Sequence, residues 1–275
     1  MHSQKLWPRF YINNQFVTSE SGSNKQFQNI PIPTAGVKDL KNAVEFALQA
    51  SAIWGSFTAH QKINSLYAWA KSVEEQSSVI SGYLKEVYPK NAHRYFTETL
   101  NTHYAFCGWP GKFETLVSGV NWVGAQHFSY TLPEPIGTTA VLPNPDTSWN
   151  DCWKAVLALL CTGNTVILLV GLKHAAIAQA YCRALQNAAL PPGTLNVLFQ
   201  DWDALNLAAA SHRGLRGLMF PGSASEALYE AMSSHQKIRI PWNLNSDLEL
   251  LNGTVQFKTL WNPQDTLAVY SSAKY

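Results

Sequence analysis

The spacing of apolar residues predicts that the first part of this 275-residue chain is helical. Apolar or small side chains recur every three or four positions there, as they do on the buried face of a helix. Helices are predicted over residues 37–53, 58–81 and 91–107. Ahead of them, residues 10–17 are typical of two short strands, and Asn13-Asn14 supplies the turn because asparagine tolerates positive φ.

After position 136 the pattern changes to alternating apolar strands and amphipathic helices. Strands are predicted at residues 136–143, 165–170, 194–199, 216–220 and 237–242, and helices at 148–160, 174–189, 203–210 and 225–234. Such alternation produces βαβ crossovers and a parallel sheet. The sequence therefore predicts an α/β fold with a doubly wound parallel sheet, and open sheets of this kind bind ligands at the carboxyl ends of their strands.

Two further segments are candidates for contact with another subunit. Residues 119–135 alternate aromatic and polar positions and predict a projecting β-hairpin arm that the proline-rich run 132–135 ends. Residues 251–270 predict two strands around Asn262-Pro263, which either extend the sheet or reach another subunit. We therefore expect a main domain over residues 1–250 and a C-terminal segment of strands over 251–275, with 119–135 as a candidate oligomerisation hairpin.

Composition narrows the class of protein. Charged residues make up 14% of the chain, against a typical value of about 25%, so either a partner covers part of the surface or the core is large. The net charge of +2 is spread along the chain, which does not favour a nucleic-acid partner. No apolar run approaches the roughly 20 residues of a membrane helix. The N-terminal sequence does not resemble a secretion signal, so we expect a cytoplasmic protein.

The four cysteines, at positions 107, 152, 161 and 182, do not have the spacing of a metal site. No two of them form a Cys-x-x-Cys pair, and no cluster of histidine and cysteine accompanies them. In a chain of this length without a secretory context, they are expected to be reduced and buried rather than paired or nucleophilic.

Several short segments, in their order along the chain, resemble the aldehyde dehydrogenase superfamily. They are FYINNQFV (10–17), YAFCGWPGK (104–112), EPIGTTAVLPNP (134–145), DCWKAVLALLCTGNTVIL (151–168), AALPPGTLNVL (188–198) and FPGSASEA (220–227). The resemblance covers roughly residues 8–245 and the first, cofactor-domain half of the family pattern. It implies a Rossmann-like fold and a family activity of NAD(P)-dependent aldehyde oxidation. The half of the pattern that carries the catalytic cysteine is not matched.

The catalytic positions that the resemblance does cover are altered. In the family, an asparagine donates a hydrogen bond to the oxyanion, and ungapped matching places it on Pro145, which has no donor. Asn144, one position earlier, is the remaining candidate for this donor. The general-base glutamate of the family falls on Trp242 or Asn243, and neither side chain can act as a base.

The cofactor positions are also altered. The family lysine that binds the adenosine ribose is matched by Leu169. Lys173, four residues on, is the nearest other lysine, but its place at a predicted helix start favours a solvated side chain over a substitute. The family phosphate turn is half kept, since Gly222-Ser223 precedes a predicted helix whose N–H groups can face an anion. Gly222 and Ser223 are therefore the candidate cofactor-binding residues.

Three functions remain open on this basis. The first is a non-catalytic, pseudoenzyme subunit that associates with itself as a homo-oligomer or with a full-length aldehyde dehydrogenase, without a cofactor of its own. The second is a protein that binds NAD or NADP in a rebuilt or partner-completed site, where His174 or His212 would assist. The third is a truncated product without function.

Overall fold

The computed structural model describes residues 7–122, 127–201 and 204–263. Its strands are β1 (Phe10–Ile12), β2 (Gln15–Val17), β3 (Asn24–Phe27), β4 (Ile30–Pro33), β5 (Gly119–Trp122), β6 (His127–Pro135), β7 (Thr138–Val141), β8 (Thr165–Gly171), β9 (Leu195–Gln200), β10 (Gly217–Met219), β11 (Ile238–Ile240) and β12 (Val255–Pro263). Its helices are α1 (Val37–Ser56), α2 (Ala59–Glu75), α3 (Ser77–Val87), α4 (Ala92–Cys107), α5 (Trp109–Val117), α6 (Trp149–Cys161), α7 (Ala175–Ala184), α8 (Ala204–Ser211), α9 (Glu226–Ser234) and α10 (Asp247–Asn252).

The main sheet has seven strands in the order β11-β10-β7-β8-β9-β1-β2. The strands from β7 to β11 pair in parallel, and β1 and β2 add an antiparallel edge beside β9. From β7 the chain winds outwards through β8 and β9, then returns past β7 to form β10 and β11. The predicted doubly wound α/β fold is confirmed, and its winding reverses between β7 and β10.

The two winding directions place the crossover helices on opposite faces of the sheet, because such crossovers are right-handed. Helices α6 and α7 therefore cover one face, where α6 also packs on α4 and α7 on α3. Helices α8 and α9 cover the other face, and α1 packs there against α8 as well as against the central strands. Strand β8 is buried along its whole length.

Tryptophans fill much of the helical layer. Trp54, Trp69, Trp149 and Trp153 are fully buried. The indole N–H of Trp54 donates to the carbonyl of Leu160 at 3.1 Å, which joins α1 to α6. This large core accounts for part of the low charge of the chain, whereas cover by a partner stays a prediction.

A separate three-stranded sheet has the order β12-β6-β5. Strand β6 pairs antiparallel with β5 and, over its full nine residues, with β12. The predicted hairpin is thus present, although its turn lies outside the described residues. The prolines at 133 and 135 were expected to end the hairpin, but they lie inside β6. They are tolerated there because β5 pairs only with residues 128–131, so this end of β6 has one open side where a proline needs no N–H.

Two other boundaries were wrong. The helix predicted over 58–81 is divided at Gln76, whose backbone is not helical (φ −94°, ψ 16°) and separates α2 from α3. Ser77 and Ser78 follow this position, and serine has a lower helix propensity than alanine or leucine, so a break there costs little. The helix predicted over 174–189 is shorter, since α7 is flanked by 3-10 turns at Leu172–His174 and Leu185–Asn187.

The C-terminal prediction was also wrong in one respect. Asn262 and Pro263 were expected to form a turn, but both belong to β12 and pair with residues 128 and 127 of β6. Pairing along the whole of β6 outweighs the local turn preference of an Asn-Pro pair. The expected second strand lies outside the described residues after position 263. Helix α10, which the sequence did not predict, runs across the expected boundary at residue 250.

Three more elements were missed. Strands β3 and β4 form a small hairpin around Gln28 and Asn29, which have φ values of 51° and 63°. Helix α5 begins directly after Gly108, with Pro110 in its first turn, where the missing N–H of proline has no cost.

The turn expected at Asn13-Asn14 is confirmed by φ values of 51° and 60°.

Candidate functional site

A cleft of about 540 Å³ lies at the point where the winding of the main sheet reverses. Its walls come from the loop after β7, the loop after β10 and the first residues of α8 and α9. The lining residues are Leu142, Pro143, Asn144, Pro145, Asn206, Leu207, Phe220, Pro221, Ser223, Ala224, Ser225 and Leu228. A mostly apolar cleft with a few polar groups is typical of a site for a small molecule.

The Gly222-Ser223 turn lies at this cleft, as the sequence predicted for a ligand site. Gly222 has a φ of +65°, and nothing lies within 4 Å of the place where a Cβ would be, so glycine is favoured by conformation rather than by space. The Ser223 side chain lines the cleft and is exposed. The residue that caps α9 is Ser225, which accepts a hydrogen bond from the N–H of Leu228 at 3.3 Å.

Arg239 supports the same turn from β11. Its Nη2 donates to the carbonyl of Gly222 at 2.6 Å. Its guanidinium group lies 5.0 Å from the ring centre of Phe220 and 5.5 Å from that of Tyr229, at the distance of a cation–π contact. The turn is therefore anchored to β11 by an arginine that the sequence reasoning did not single out.

Asn206 is a second polar group that the sequence reasoning missed. It lines the cleft from α8, and its Oδ1 is buried without a hydrogen-bond donor in the described structure. A buried amide oxygen without a partner costs free energy unless a ligand or water donates to it. The available signal was a polar position in the alanine-rich helix ALNLAAAS.

Asn144, the candidate oxyanion donor, lies in the cleft wall but serves its own loop. Its Oδ1 accepts hydrogen bonds from the N–H of Asp146 at 3.1 Å and from the N–H and hydroxyl of Thr147 at 2.9 and 2.7 Å. These contacts fix the amide as a turn acceptor. Only its Nδ2 group is left to donate to a ligand.

Leu169 lies inside the sheet rather than at a ligand. It is fully buried, and β8 continues for two more residues to Gly171. Lys173, which was expected to be solvated at the start of the next helix rather than to replace the family lysine, donates to the carbonyl of Pro145 at 2.5 Å and is absent from the lining of the cleft. Neither Leu169 nor Lys173 therefore lines the cleft.

The two histidines singled out from the sequence have local partners. The Tyr88 hydroxyl lies 2.6 Å from Nε2 of His174 and accepts a hydrogen bond from the N–H of Trp149 at 3.0 Å. Burial lowers the pKa of His174 to about 3, so its ring is neutral. His212 accepts a hydrogen bond from the N–H of Gly214 at 3.1 Å, and burial also lowers its pKa.

All four cysteines are buried and none forms a disulfide, as expected. Burial raises the pKa of the Cys107 thiol to about 12 and raises those of Cys152, Cys161 and Cys182 as well. A thiolate is the nucleophilic form of cysteine, and burial in apolar surroundings disfavours it. These thiols are packing groups.

The residues at the position of the family glutamate join the segment after β11 to its surroundings. Asn243 donates from Nδ2 to the carboxylate of Glu249. Lys154 of α6 pairs with Asp247 at 2.6 Å and donates to the carbonyl of Leu244 at 2.8 Å.

Within the described ranges, no group of three acidic, histidine or cysteine side chains could hold a metal ion.

A search of the described helices for a membrane span found none that is both long and apolar enough.

Comparison with known proteins places these observations in a family. The chain matches the model of the aldehyde dehydrogenase family over residues 18–240. It is 27% identical over 230 residues to aldehyde dehydrogenase (NAD(P)+) 1 of Saccharomyces cerevisiae, which covers 78% of this chain and 44% of that protein. It is 26% identical over 242 residues to retinal dehydrogenase 2 of Homo sapiens, which covers 79% of this chain and 44% of that protein. The chain thus spans less than half the length of both relatives.

Solved structures share the fold. PnpE from Pseudomonas sp. WBC-3 superposes with a TM-score of 0.78 and 20% identity, over 85% of this chain and 50% of that one. The NAD+ complex of an aldehyde dehydrogenase from Bacillus cereus superposes with a TM-score of 0.75 and 18% identity, over the same shares of the two chains. The fold agrees with the family match, which spans well over half of the sequence, and the chain belongs to the aldehyde dehydrogenase family.

Proposed function

We propose that this chain is a non-catalytic aldehyde dehydrogenase-like subunit that associates through its three-stranded sheet with a second copy or with a full-length aldehyde dehydrogenase. The observation that carries the proposal is the exposure of large apolar side chains on this sheet. Val120 of β5 is 73% exposed and Trp261 of β12 is 63% exposed. Large apolar side chains that are exposed on a sheet can mark an interaction site.

The apolar side chains lie on both faces of the sheet. Leu260 is paired with Tyr130, and Tyr130 with Val120, so these three share one face. Trp261 lies on the opposite face, because successive residues of a strand point to opposite sides. A partner that packs on either face would bury apolar area.

The edges of the sheet support association as well. Strands β5 and β12 are the outer strands of the described sheet, and each presents one row of backbone groups without a neighbouring strand. A strand from another polypeptide can add to such an edge through main-chain hydrogen bonds. This kind of association does not depend on the residues of a catalytic site.

The absence of catalysis is supported by the cysteines. Covalent oxidation of an aldehyde in this family requires an activated thiolate, and burial keeps all four thiols of this chain protonated. Pro145, on which ungapped matching places the family asparagine, has no side-chain donor, and Asn144 is held in its own turn with only its Nδ2 group left to donate. Both features favour a supporting role for this part of the protein.

Sedimentation velocity of the purified chain, alone and mixed with a full-length aldehyde dehydrogenase from the same source, tests the proposal. We expect a complex in one of the two samples, and we expect the pair Val120→Lys and Trp261→Lys to abolish it, because each charge would have to be desolvated at the interface. Val79→Lys on α3 is the matched control, since Val79 is 51% exposed away from this sheet. A monomer in both samples, or equal loss in the control, would contradict the proposal.

A second candidate function is the binding of NAD or NADP in the cleft between β7 and β10. The observation in its favour is the unpartnered Oδ1 of Asn206, which could accept a hydrogen bond from the amino group of an adenine. The open turn at Gly222 and Ser223 also leaves room for phosphate groups. The fit is partial, because Leu169 offers no donor to a ribose.

Calorimetric titration with NAD+ and NADP+ tests this second candidate. If it holds, saturable binding should weaken in both Asn206→Leu and Ser223→Ala. Cofactor binding in the cleft would be excluded if no heat of binding were seen up to millimolar cofactor. It would also be excluded if neither substitution changed the heat of binding.

A further inference from the structure

A second pocket, of about 200 Å³, lies at the opposite end of the main sheet from the cleft. Its walls come from the start of α2, from α5, from the ends of β6 and α6, and from the start of β12. The lining residues are Gly55, Phe57, Thr58, Ala59, Lys62, Pro110, Phe113, Glu114, Pro133, Pro135, Cys161, Thr162 and Val255. This pocket is unrelated to the Gly222-Ser223 turn.

Lys62 of α2 supplies the positive charge of this pocket. Its Nζ lies 3.1 Å from the place where a Cβ on Gly163 would be, at the turn that leads from α6 into β8. Within the described structure, its ammonium group makes neither a hydrogen bond nor an ion pair. Lys154, by contrast, is held by Asp247 and by the carbonyl of Leu244. A partly buried ammonium group without a partner is costly, so a counter-ion would stabilise it.

The charges around Lys62 leave room for an anion. The titratable groups that face the pocket are Lys62 of α2, Glu114 of α5 and Cys161 of α6. Glu114 is exposed and acts on Lys62 without forming an ion pair, while Cys161 is a buried thiol that donates to the carbonyl of Phe106. Burial lowers the pKa of Lys62 despite the opposing effect of Glu114, which agrees with an ammonium group that lacks a close counter-charge.

The remaining walls favour a small ligand with an oxyanion group. Thr58 and Ala59 form the start of α2, whose positive dipole end is compatible with negative charge in the pocket. Phe57, Phe113 and the prolines provide apolar walls without donors. The volume suits a molecule of a few heavy atoms.

We propose that this pocket binds a small oxyanion, a carboxylate or an inorganic phosphate, with the Lys62 ammonium as its counter-ion. The site is separate from the cleft. It borders the three-stranded sheet through Pro133, Pro135 and Val255, but the exposed residues Val120 and Trp261 do not line it, so it stands whether or not the proposed function holds. An alternative role for Lys62 is to stabilise the carbonyl end of α6 without any ligand.

Calorimetric titration of the intact chain with sodium acetate and with sodium phosphate, at constant ionic strength and neutral pH, tests the site and distinguishes the two anions. We expect saturable binding of at least one anion that weakens about tenfold or more in Lys62→Met, since a charge-assisted hydrogen bond is lost. Lys62→Arg should keep the binding, and Glu114→Gln should tighten it by removing repulsion. Lys71→Met, an exposed lysine on the same helix, is the matched control and should change nothing.

Dependence on pH separates an anion site from a structural lysine. Binding should fall as the pH rises through the lowered pKa of Lys62, whereas Lys62→Arg should keep its affinity over the same range, because arginine stays protonated. If Lys62→Met does not fold, the rate of amine labelling of the unaltered chain, with and without the anion, tests the site instead. The bound anion should then protect Lys62 and leave Lys71 unprotected. Absence of saturable heat up to roughly 100 mM anion, or equal binding by Lys62→Met, would overturn the proposal.

Discussion

The carboxyl end of the main sheet and the three-stranded sheet use their side chains in opposite ways. At the first, Asn144 and Lys173 make hydrogen bonds within the loops, and Leu169 lies in the core. On the second, Val120 and Trp261 project into solvent. The polar groups at the carboxyl end of the main sheet therefore mostly maintain the fold, whereas apolar groups of the three-stranded sheet are exposed to solvent.

The largest expected effect comes from an attempt to restore the family lysine. Leu169→Lys should destabilise the chain by on the order of 3–5 kcal/mol at neutral pH, because it introduces an uncompensated charge inside β8. Urea unfolding measures this loss, and Leu169→Met should cost less than about 1.5 kcal/mol. A stable Leu169→Lys variant that gains NAD+ binding would contradict this expectation and show that the carboxyl end of the main sheet can still bind the cofactor.

Acid should weaken the fold as a whole, because two buried histidines, His103 and His174, pack against the tryptophans of the helical layer. Burial lowers the pKa of His103 and of His174 from 6.5 to about 3. The unfolded chain therefore binds these protons first, so stability is complete above about pH 6.5 and is lost as the pH falls towards 3. At pH 5 the loss should be about 2 kcal/mol for each histidine.

Urea unfolding at pH 7 and pH 5 checks this dependence. His103→Phe should reduce the difference between the two pH values by about half, even if the variant is less stable overall. A free energy of unfolding that does not change between the two pH values would be inconsistent with neutral, buried histidines.

The contact between the three-stranded sheet and the amino end of the main sheet should weaken at Asn164. Its Oδ1 accepts from the N–H of Gly137 at 2.9 Å, ahead of β7, and its Nδ2 donates to the carbonyl of Thr254 at 2.9 Å, ahead of β12. Asn164→Leu leaves both buried groups without a partner and should cost about 2–4 kcal/mol in chemical unfolding. Asn121→Ala, at an exposed position of β5, is a control that should stay within about 0.5 kcal/mol of the unaltered chain.

The smallest expected effect separates the two serines beside the cleft. Ser225→Ala removes the cap of α9 and should cost about 1 kcal/mol, whereas Ser223→Ala should leave stability nearly unchanged. Thermal or urea unfolding of the two variants makes the comparison. Equal costs would mean that Ser223 also supports the turn.

Much of the fold followed from local patterns in the sequence. The periods of strands and helices predicted the doubly wound sheet. The resemblance singled out Gly222 and Ser223, which lie at the carboxyl end of the strands beside the cleft, and their binding of a cofactor stays a prediction. Features that depend on distant partners were missed. Strand β12 passes through Asn262 and Pro263 because it pairs with β6, more than a hundred residues earlier in the chain.

The finer features of the sites were less predictable for the same reason. The unpartnered oxygen of Asn206 and the support of Gly222 by Arg239 are set by tertiary contacts between α8, β10 and β11. The break at Gln76 lies between two stretches that both favour a helix, so the spacing of apolar residues alone does not reveal it. Lys62 had no local signal, since its missing partner becomes evident only when α2, α5 and α6 are brought together.

Hydrogen exchange of backbone amides tests the central claim most directly, because it reports on both regions in one experiment. The chain is compared at low and high concentration, with and without a full-length aldehyde dehydrogenase, and with NAD+. The account predicts that association slows exchange in Gly119–Trp122 and Val255–Pro263, and that NAD+ leaves residues 220–225 unchanged. Protection of residues 220–225 by NAD+, with no protection of the two outer strands under any condition, would contradict it.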